Sequence, residues 1–385
     1  MSAHAGRTGR GGRGGQAGRA GTLRAATFNI HHGASADDHL DLARTAAEIR
    51  ALDADVVGLQ EVDVAFGDRS AGEDQARALA EVLGMDVAFA PAIDRPGTDP
   101  DGPRRQYGVA LLARGRILES ETHLLPAAPG LGPLREPRAV LCASVRTARD
   151  EAGPADASAG DRSDPADAPA SPDLTVLVTH LDTERPEHRR AQIGRILELA
   201  ARRAQDLHGS GVDASGVDGS AAPPALLLGD MNADQSALEM RLLAAAGWRD
   251  AALEASGRAP VGGGRNIRTS DGEVSEVHAI GGASAAGRVG RTLTAALRSP
   301  ALAVATTAVV SAASNVVAAV VSRLPGTGRT VSAGVRGSFP AVFPVRRIDG
   351  IWVHGPLVAR AVEVPPGKAS DHRAVVATLE DTGPA

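Results

Sequence analysis

The sequence predicts a mixed α+β fold. Three observations carry that prediction: short apolar runs of strand length, apolar residues at helical spacing between only some of them, and polar residues gathered at the ends of the runs. Several runs follow one another with no helix between them, so a strictly doubly wound parallel sheet is a poor fit. Composition agrees with a folded chain. With 385 residues, 43% of them hydrophobic and 23% charged, it can bury a substantial core. Aromatic residues are 2% of the chain, which argues against a stacking platform for single-stranded nucleic acid. The formal net charge of −5 removes the case for a generic polyanion binder but leaves room for a local basic patch.

Taken in order, residues 1–22 are rich in Gly and Arg with almost nothing to bury, and read as a flexible basic tail. LRAATFN (23–29) is the first strand. Leu42, Ala46, Ile49 and Leu52 then mark a helix, and DVVGLQ (55–60) the next strand. Ala76, Leu79, Ala80 and Leu83 mark a second helix. Strands follow at YGVALLA (107–113), RAVLCASV (138–145) and DLTVLVTH (173–180). A helix is expected over 186–203, where Pro186 fits the first turn. ALLLGD (225–230), RIDGIWVH (347–354) and HRAVVATL (372–379) complete the strands.

Three segments interrupt this pattern: 149–172, 209–224 and about 281–340, all read as insertions into one domain spanning 23–380. The last contains a charge-free run, 299–322, long enough to span a bilayer. Its Ala, Val, Thr and Ser content and its Pro300 and Asn315 favour a surface helix, with membrane contact left open. The single cysteine, Cys142, forms no internal disulfide, and the N-terminus lacks an apolar signal-peptide core. The expectation is a monomer in the reducing cytoplasm.

The informative polar residues stand at strand ends: Asn29, Glu61, His180, Asp230, Asn232, Asp349, Asp371 and His372. Each has an ordinary explanation alone: Asn29 as a turn cap, Asp230 with Asn232 as an Asx-turn, Asp349 paired with Arg346 or Arg347. Apolar strands that repeatedly end in acids, amides and histidines are how open sheets assemble a site at one edge.

The motifs TFNIHHG (27–33), LQEVD (59–63), YGVALLAR (107–114), THLD (179–182), GDMNAD (229–234), RRIDGIW (346–352) and SDHRAV (370–375) stand in one order. That set resembles the endonuclease/exonuclease/phosphatase superfamily, the DNase I-like fold. The resemblance implies a four-layer α/β/β/α sandwich of two mixed β-sheets flanked by helices, and hydrolysis of phosphodiesters or phosphomonoesters with a divalent metal. By resemblance, Glu61, Asn29 and Asp371 are the metal-side residues, with Mg²⁺ or Mn²⁺ as cofactor. Asp230 positions or deprotonates the attacking water, helped by Asn232. His372 donates to the phosphoryl oxygen, Asp349 orients it, and His180 is a second phosphate-facing histidine. Tyr107 resembles a substrate-contacting position.

Arg105 and Arg138, with Arg104 and Arg135, stand where they can line a phosphate path; in an Arg-biased chain whose one lysine is Lys368, solvated surface arginines are as ready an explanation. His31 stands where some nuclease members carry an additional metal-binding acid, which leaves the number of metal ions open. The implied partner is a phosphate ester: a nucleic acid, a phospholipid or a small molecule. Two further readings remain, a membrane-associated lipid phosphodiesterase and a catalytically silent binding relative.

Overall fold

Strands that are apolar on both faces need a packed layer on each side. The computed structural model describes residues 22–147, 173–209, 223–257 and 337–382. The tail, apart from Thr22, the insertion at 149–172, most of 209–224 and the 299–322 run lie outside these residues. Among the described residues, no helix is long and apolar enough to cross a membrane.

The elements are β1 (Thr22–Asn29), α1 (Leu42–Leu52), β2 (Val56–Val64), α2 (Gln75–Leu83), β3 (Asp86–Arg95), β4 (Arg105–Ala113), β5 (Arg116–Leu125), β6 (Arg138–Arg146), β7 (Leu174–His180), α3 (Pro186–Gly209), β8 (Ala225–Asp230), α4 (Arg241–Ala245), β9 (Arg249–Asp250), α5 (Ala251–Ala255), β10 (Asp349–His354), β11 (Leu357–Glu363) and β12 (Val375–Asp381). They form two six-stranded sheets. Sheet 1 runs β11-β12-β1-β2-β4-β3 and sheet 2 runs β5-β6-β7-β8-β10-β9. Each is mixed, with one parallel pair near its centre, β1–β2 or β7–β8, among antiparallel neighbours.

Side-chain alternation assigns the layers. Val109, Leu111 and Ala113 of β4 meet Val176, Val178, Leu226 and Leu228 between the sheets. The opposite parity, with Phe28, Leu59 and Leu112, packs under Ile49 and Leu52 of α1 and Leu79 of α2. Leu177 and Leu227 pack under Ile193 and Ile196 of α3. The result is the expected four-layer sandwich. Each fully buried Phe or Leu contributes about 1.5–3 kcal/mol. Gly58 sets the spacing of the sheets, because a Cβ there would lie 2.8 Å from Leu228 Cβ.

Local signals close the helices. The Asp41 carboxylate accepts from Arg44 N at 2.9 Å to cap α1, and Asp74 does the same from Arg77 N at 3.1 Å for α2. Asp182 Oδ1 accepts from the backbone of Glu184 and Arg185 as the chain enters α3.

Two sets of expectations need correction. The sequence reading missed β3, β5, β9 and β11, which are the four edge strands. Pro91 interrupts β3 at a register shift, and β5 is largely exposed and charged, so neither carries a buried-strand signature. The last strand begins at Val375, not His372, and β10 begins at Asp349, not Arg347. Asp371 and His372 therefore lie on the loop before β12.

Candidate active site

Three neighbouring strands of sheet 2 end in register. His180 of β7 and Asp349 of β10 each stand opposite Asp230 of β8. Asp230 and Asp349 are each 1% exposed. Two carboxylates cannot stay ionised in such a place without hydrogen bonds or a cation. Asp230 Oδ1 accepts from Asn232 N at 2.9 Å, which is the Asx-turn the sequence suggests, and Asn232 Nδ2 donates to Leu181 O at 2.9 Å. Asp349 pairs with His372 through an Nδ1–Oδ2 contact of 2.9 Å, not with Arg347, whose guanidinium is held by Asp250. His372 Nε2 lies 3.7 Å from Asp230 Oδ2.

Sheet 1 closes over this row. Asn29, at the end of β1, donates from Nδ2 to Asp230 Oδ2 at 3.1 Å and to Glu61 Oε1 at 2.9 Å, while its Oδ1 accepts from His31 N at 3.0 Å. Both amide hydrogens are thereby committed, and the oxygen keeps one lone pair. Glu61 reaches Asn29 because the β2–β4 ladder shifts between Leu59 and Val62, where Glu61 sits at φ 57. A bulge re-aims a side chain at the cost of local strain, here in a left-handed conformation that glutamate rarely adopts.

Ser370 ties the His372 loop to β1. Its Oγ donates to Asn29 O at 2.7 Å and accepts from His372 N at 3.1 Å, and it lies 3.3 Å from Asp371 Oδ1. Asp371 joins the group through this loop. The Phe339 ring lies 4.7 Å from the His372 imidazole, and Ala341 N donates to Asp371 O at 2.6 Å. Sequence reasoning gave neither Ser370 nor Phe339 a role. Ser370 lay inside a motif already noted, whereas Phe339 fell in the segment read as an insertion.

Their surroundings push the two histidines in opposite directions. Burial pulls the His180 imidazole well below its usual range, helped by Arg138 and His372. Arg138 Nη1 stands 3.3 Å from His180 Nδ1. A guanidinium only donates, so Nδ1 accepts, and the His180 proton sits on Nε2, 3.6 Å from Asp230. Burial alone would also lower His372, but Asp349 and Asp230 outweigh it and raise the imidazolium to about 10. Burial, then Asp349, pushes the Asp230 carboxyl upward, against the pull of His372 and its hydrogen bonds.

Of the remaining substrate-side residues, Tyr107 and Arg138 are buried near the site, and burial followed by Glu61 holds the Tyr107 phenol well above its usual range. Arg138 also pairs with Glu136. Arg105 lies further out on β4, with Nε on Pro96 O at 3.1 Å. Arg104 and Arg135 are engaged in exposed pairs with Asp94 and Glu184.

Two donor groups can be weighed for a cation. Glu61, Asn29 and Asp371 offer oxygen alone, which suits a hard divalent ion. Asp230, Asp349 and His372 bring one donor atom each within 4.8 Å of one another. There, Nδ1 of His372 is already paired with Asp349 at 2.9 Å, so a cation in that group would have to displace this hydrogen bond.

Comparisons with solved structures place the fold. An endonuclease/exonuclease/phosphatase from Beutenbergia cavernae is 19% identical with a TM-score of 0.54, covering 95% of this chain and 73% of its own. A family protein from Bacteroides vulgatus is 17% identical at TM-score 0.51, covering 93% and 98%. One from Bacteroides thetaiotaomicron is 14% identical at 0.50, covering 93% and 97%. No curated protein matches the sequence. The model of the Endonuclease/Exonuclease/phosphatase family matches residues 26–372, from β1 to His372, and the chain belongs to that family, whose members are phosphoesterase hydrolases.

Proposed function

We propose that this protein is a divalent-metal-dependent phosphoester hydrolase that cleaves a phosphodiester by in-line attack of water. The observation that carries the reading is the hydrogen-bonded chain Glu61–Asn29–Asp230, buried at Asn29 and Asp230, beside the buried Asp349–His372 pair. Glu61, Asn29 and Asp371 would hold Mg²⁺ or Mn²⁺, which supplies charge neutralisation at the phosphoryl group. The other tasks fall to this chain's own residues. Asp230, more basic than a solvated carboxylate, takes the proton of the attacking water, worth roughly 10²–10⁴-fold in rate. Asn232 is a half-buried amide fixed beside it by Leu181 O and helps orient the water and phosphate. His372 presents Nε2–H to a phosphoryl oxygen, with Asp349 fixing its ring orientation and favouring its charge. Neutral His180 offers a second N–H from the same side, held by Arg138. Tyr107, Arg138 and Arg105 serve the substrate.

Hydrolysis of bis-p-nitrophenyl phosphate with Mg²⁺ or Mn²⁺ tests this. EDTA should abolish it, and Asp230→Asn and His372→Ala should each lower kcat by about 10²-fold or more. Metal-independent turnover, or unchanged rates in both variants, overturns the mechanism.

A lipid-type phosphodiester is the second reading. It is favoured by the exposed Val342, Phe343 and Val345, in the turn that follows Phe339 and hydrogen-bonds to Asp371. Hydrolysis of sphingomyelin liposomes in preference to soluble diesters would select it.

A further inference from the structure

The inner faces of β3 and β4 continue past the end of the core. On β4, the positions that face sheet 2 run Ala113, Leu111, Val109, then Tyr107 and Arg105. On β3, Ala88 and Ala90 lie in the same layer, and beyond the register shift the strand ends at Arg95, directly opposite Arg105. Like charges facing each other across a ladder repel. Among the described residues, neither arginine is paired with a carboxylate. Arg105 uses only Nε, on Pro96 O, and the Arg95 guanidinium stands 6.0 Å from the Phe66 ring centroid. Arg104 beside them differs, being bound to Asp94 at 2.7 Å.

A third guanidinium completes the group. Arg69 lies 4.7 Å from the Phe66 centroid and 5.3 Å from that of Tyr107. Its Nε and Nη2 are clamped by the buried Asp63 at 2.8 and 2.7 Å, which fixes the plane of the fork. Among the described residues Nη1 has no hydrogen-bond partner, and the side chain is 42% exposed. Asp63, which holds Arg69, stands opposite Tyr107 in the β2–β4 ladder and two residues from Glu61, so the group borders the candidate site.

We infer that Arg69, Arg95 and Arg105 form an anion-binding ledge for a second phosphate of the substrate, next to the one being cleaved. This rests on the proposed phosphoesterase reading and narrows it to substrates with neighbouring phosphates. The same chemistry occurs in a nucleic-acid strand and in a small multiply phosphorylated molecule. It explains why two uncompensated arginines face each other at a sheet edge and why a third is held rigid beside them. Asp63 alone would explain the clamp on Arg69, but not the unpaired Arg95 and Arg105.

Calorimetric titration with inorganic pyrophosphate, in metal-free buffer, tests the ledge without catalysis. The Arg95→Gln/Arg105→Gln protein should bind at least tenfold more weakly than wild type, with an unfolding midpoint equal or higher. Arg69→Lys, which keeps a cation beside Asp63, should also weaken binding. Equal affinities, or no binding to wild type, overturn the proposal. In the catalytic arm, kcat/KM for a short oligodeoxynucleotide or for an inositol polyphosphate, relative to bis-p-nitrophenyl phosphate, should fall at least tenfold in the double variant. Whichever substrate shows that fall identifies the source of the second phosphate. A preference for sphingomyelin liposomes over both, untouched by the double substitution, overturns the ledge. Arginine-dependent pyrophosphate binding without hydrolysis of any substrate keeps the ledge and removes the catalytic reading; hydrolysis without arginine dependence does the reverse.

Discussion

The two sheets share one internal plan and deliver different chemistry. In both, a central parallel pair is flanked by antiparallel strands: β4-β2-β1-β12-β11 in sheet 1 answers β6-β7-β8-β10-β9 in sheet 2. Corresponding strands meet at the site. Asn29 ends β1 and bonds to Asp230, which ends β8; His372 precedes β12 and bonds to Asp349, which starts β10. The difference lies in how the side chains arrive. Sheet 2 presents His180, Asp230 and Asp349 straight from ladder register. Sheet 1 presents Glu61 from a strained bulge and His372 from a loop tied down by Ser370. Regular pairing therefore places the His180–Asp230–Asp349 row and Asn29, and irregular backbone brings Glu61 and His372 to them.

The comparison can be broken first at the cross-sheet pair. Asp349→Asn leaves an acceptor beside Nδ1 but removes the charge that fixes the imidazolium, and kcat should fall by about 10²-fold or more. Combined with His372→Ala it should cost little beyond either change alone, because the two act as one unit. Additive losses would show that the sheets contribute independently.

The spacing between sheets is the next point of attack. Gly58→Ala places a methyl 2.8 Å from Leu228 Cβ and should destabilise the fold by about 1–3 kcal/mol, read as a lower urea midpoint at constant m. An unchanged midpoint would mean that the sheets separate freely. A smaller effect of opposite sign is expected at the bulge. Glu61→Asn suits the left-handed backbone better and should raise stability by about 1 kcal/mol while weakening Mn²⁺ binding, measured by titration calorimetry. Loss of both properties would show that Glu61 is not strained.

The smallest effect lies at the far end of sheet 2. Burial, then Arg249, holds the His354 imidazole below its usual value. The unfolded chain therefore takes up this proton more readily, so stability should decline as pH falls through about 6.5 and on toward the lower folded value. His354→Gln should flatten that part of the stability–pH curve; an unchanged slope would assign it elsewhere.

The central strands were legible in the sequence because they are buried on both faces and must read as unbroken apolar runs, as in ALLLGD and LTVLVTH. Edge strands have no such constraint. β3 tolerates Pro91 and β5 tolerates alternating charges and polar groups, so the alphabet that announces a strand is absent from them. The candidate site was legible to the same extent: its residues sit where apolar runs end. The sequence by itself determined which side chains stand at those ends and that a buried acid row needs compensating partners. Only the tertiary structure decided the partners. Asp349 takes His372 and leaves Arg347 to Asp250, and Phe339 comes to lie against His372 from the far side of a long segment. It also decided that Arg95, on an unread strand, faces Arg105. The reason is physical: the periodicity of a strand is local and printed in its residues, whereas a hydrogen bond across two sheets depends on register, twist and bulges that no single segment encodes.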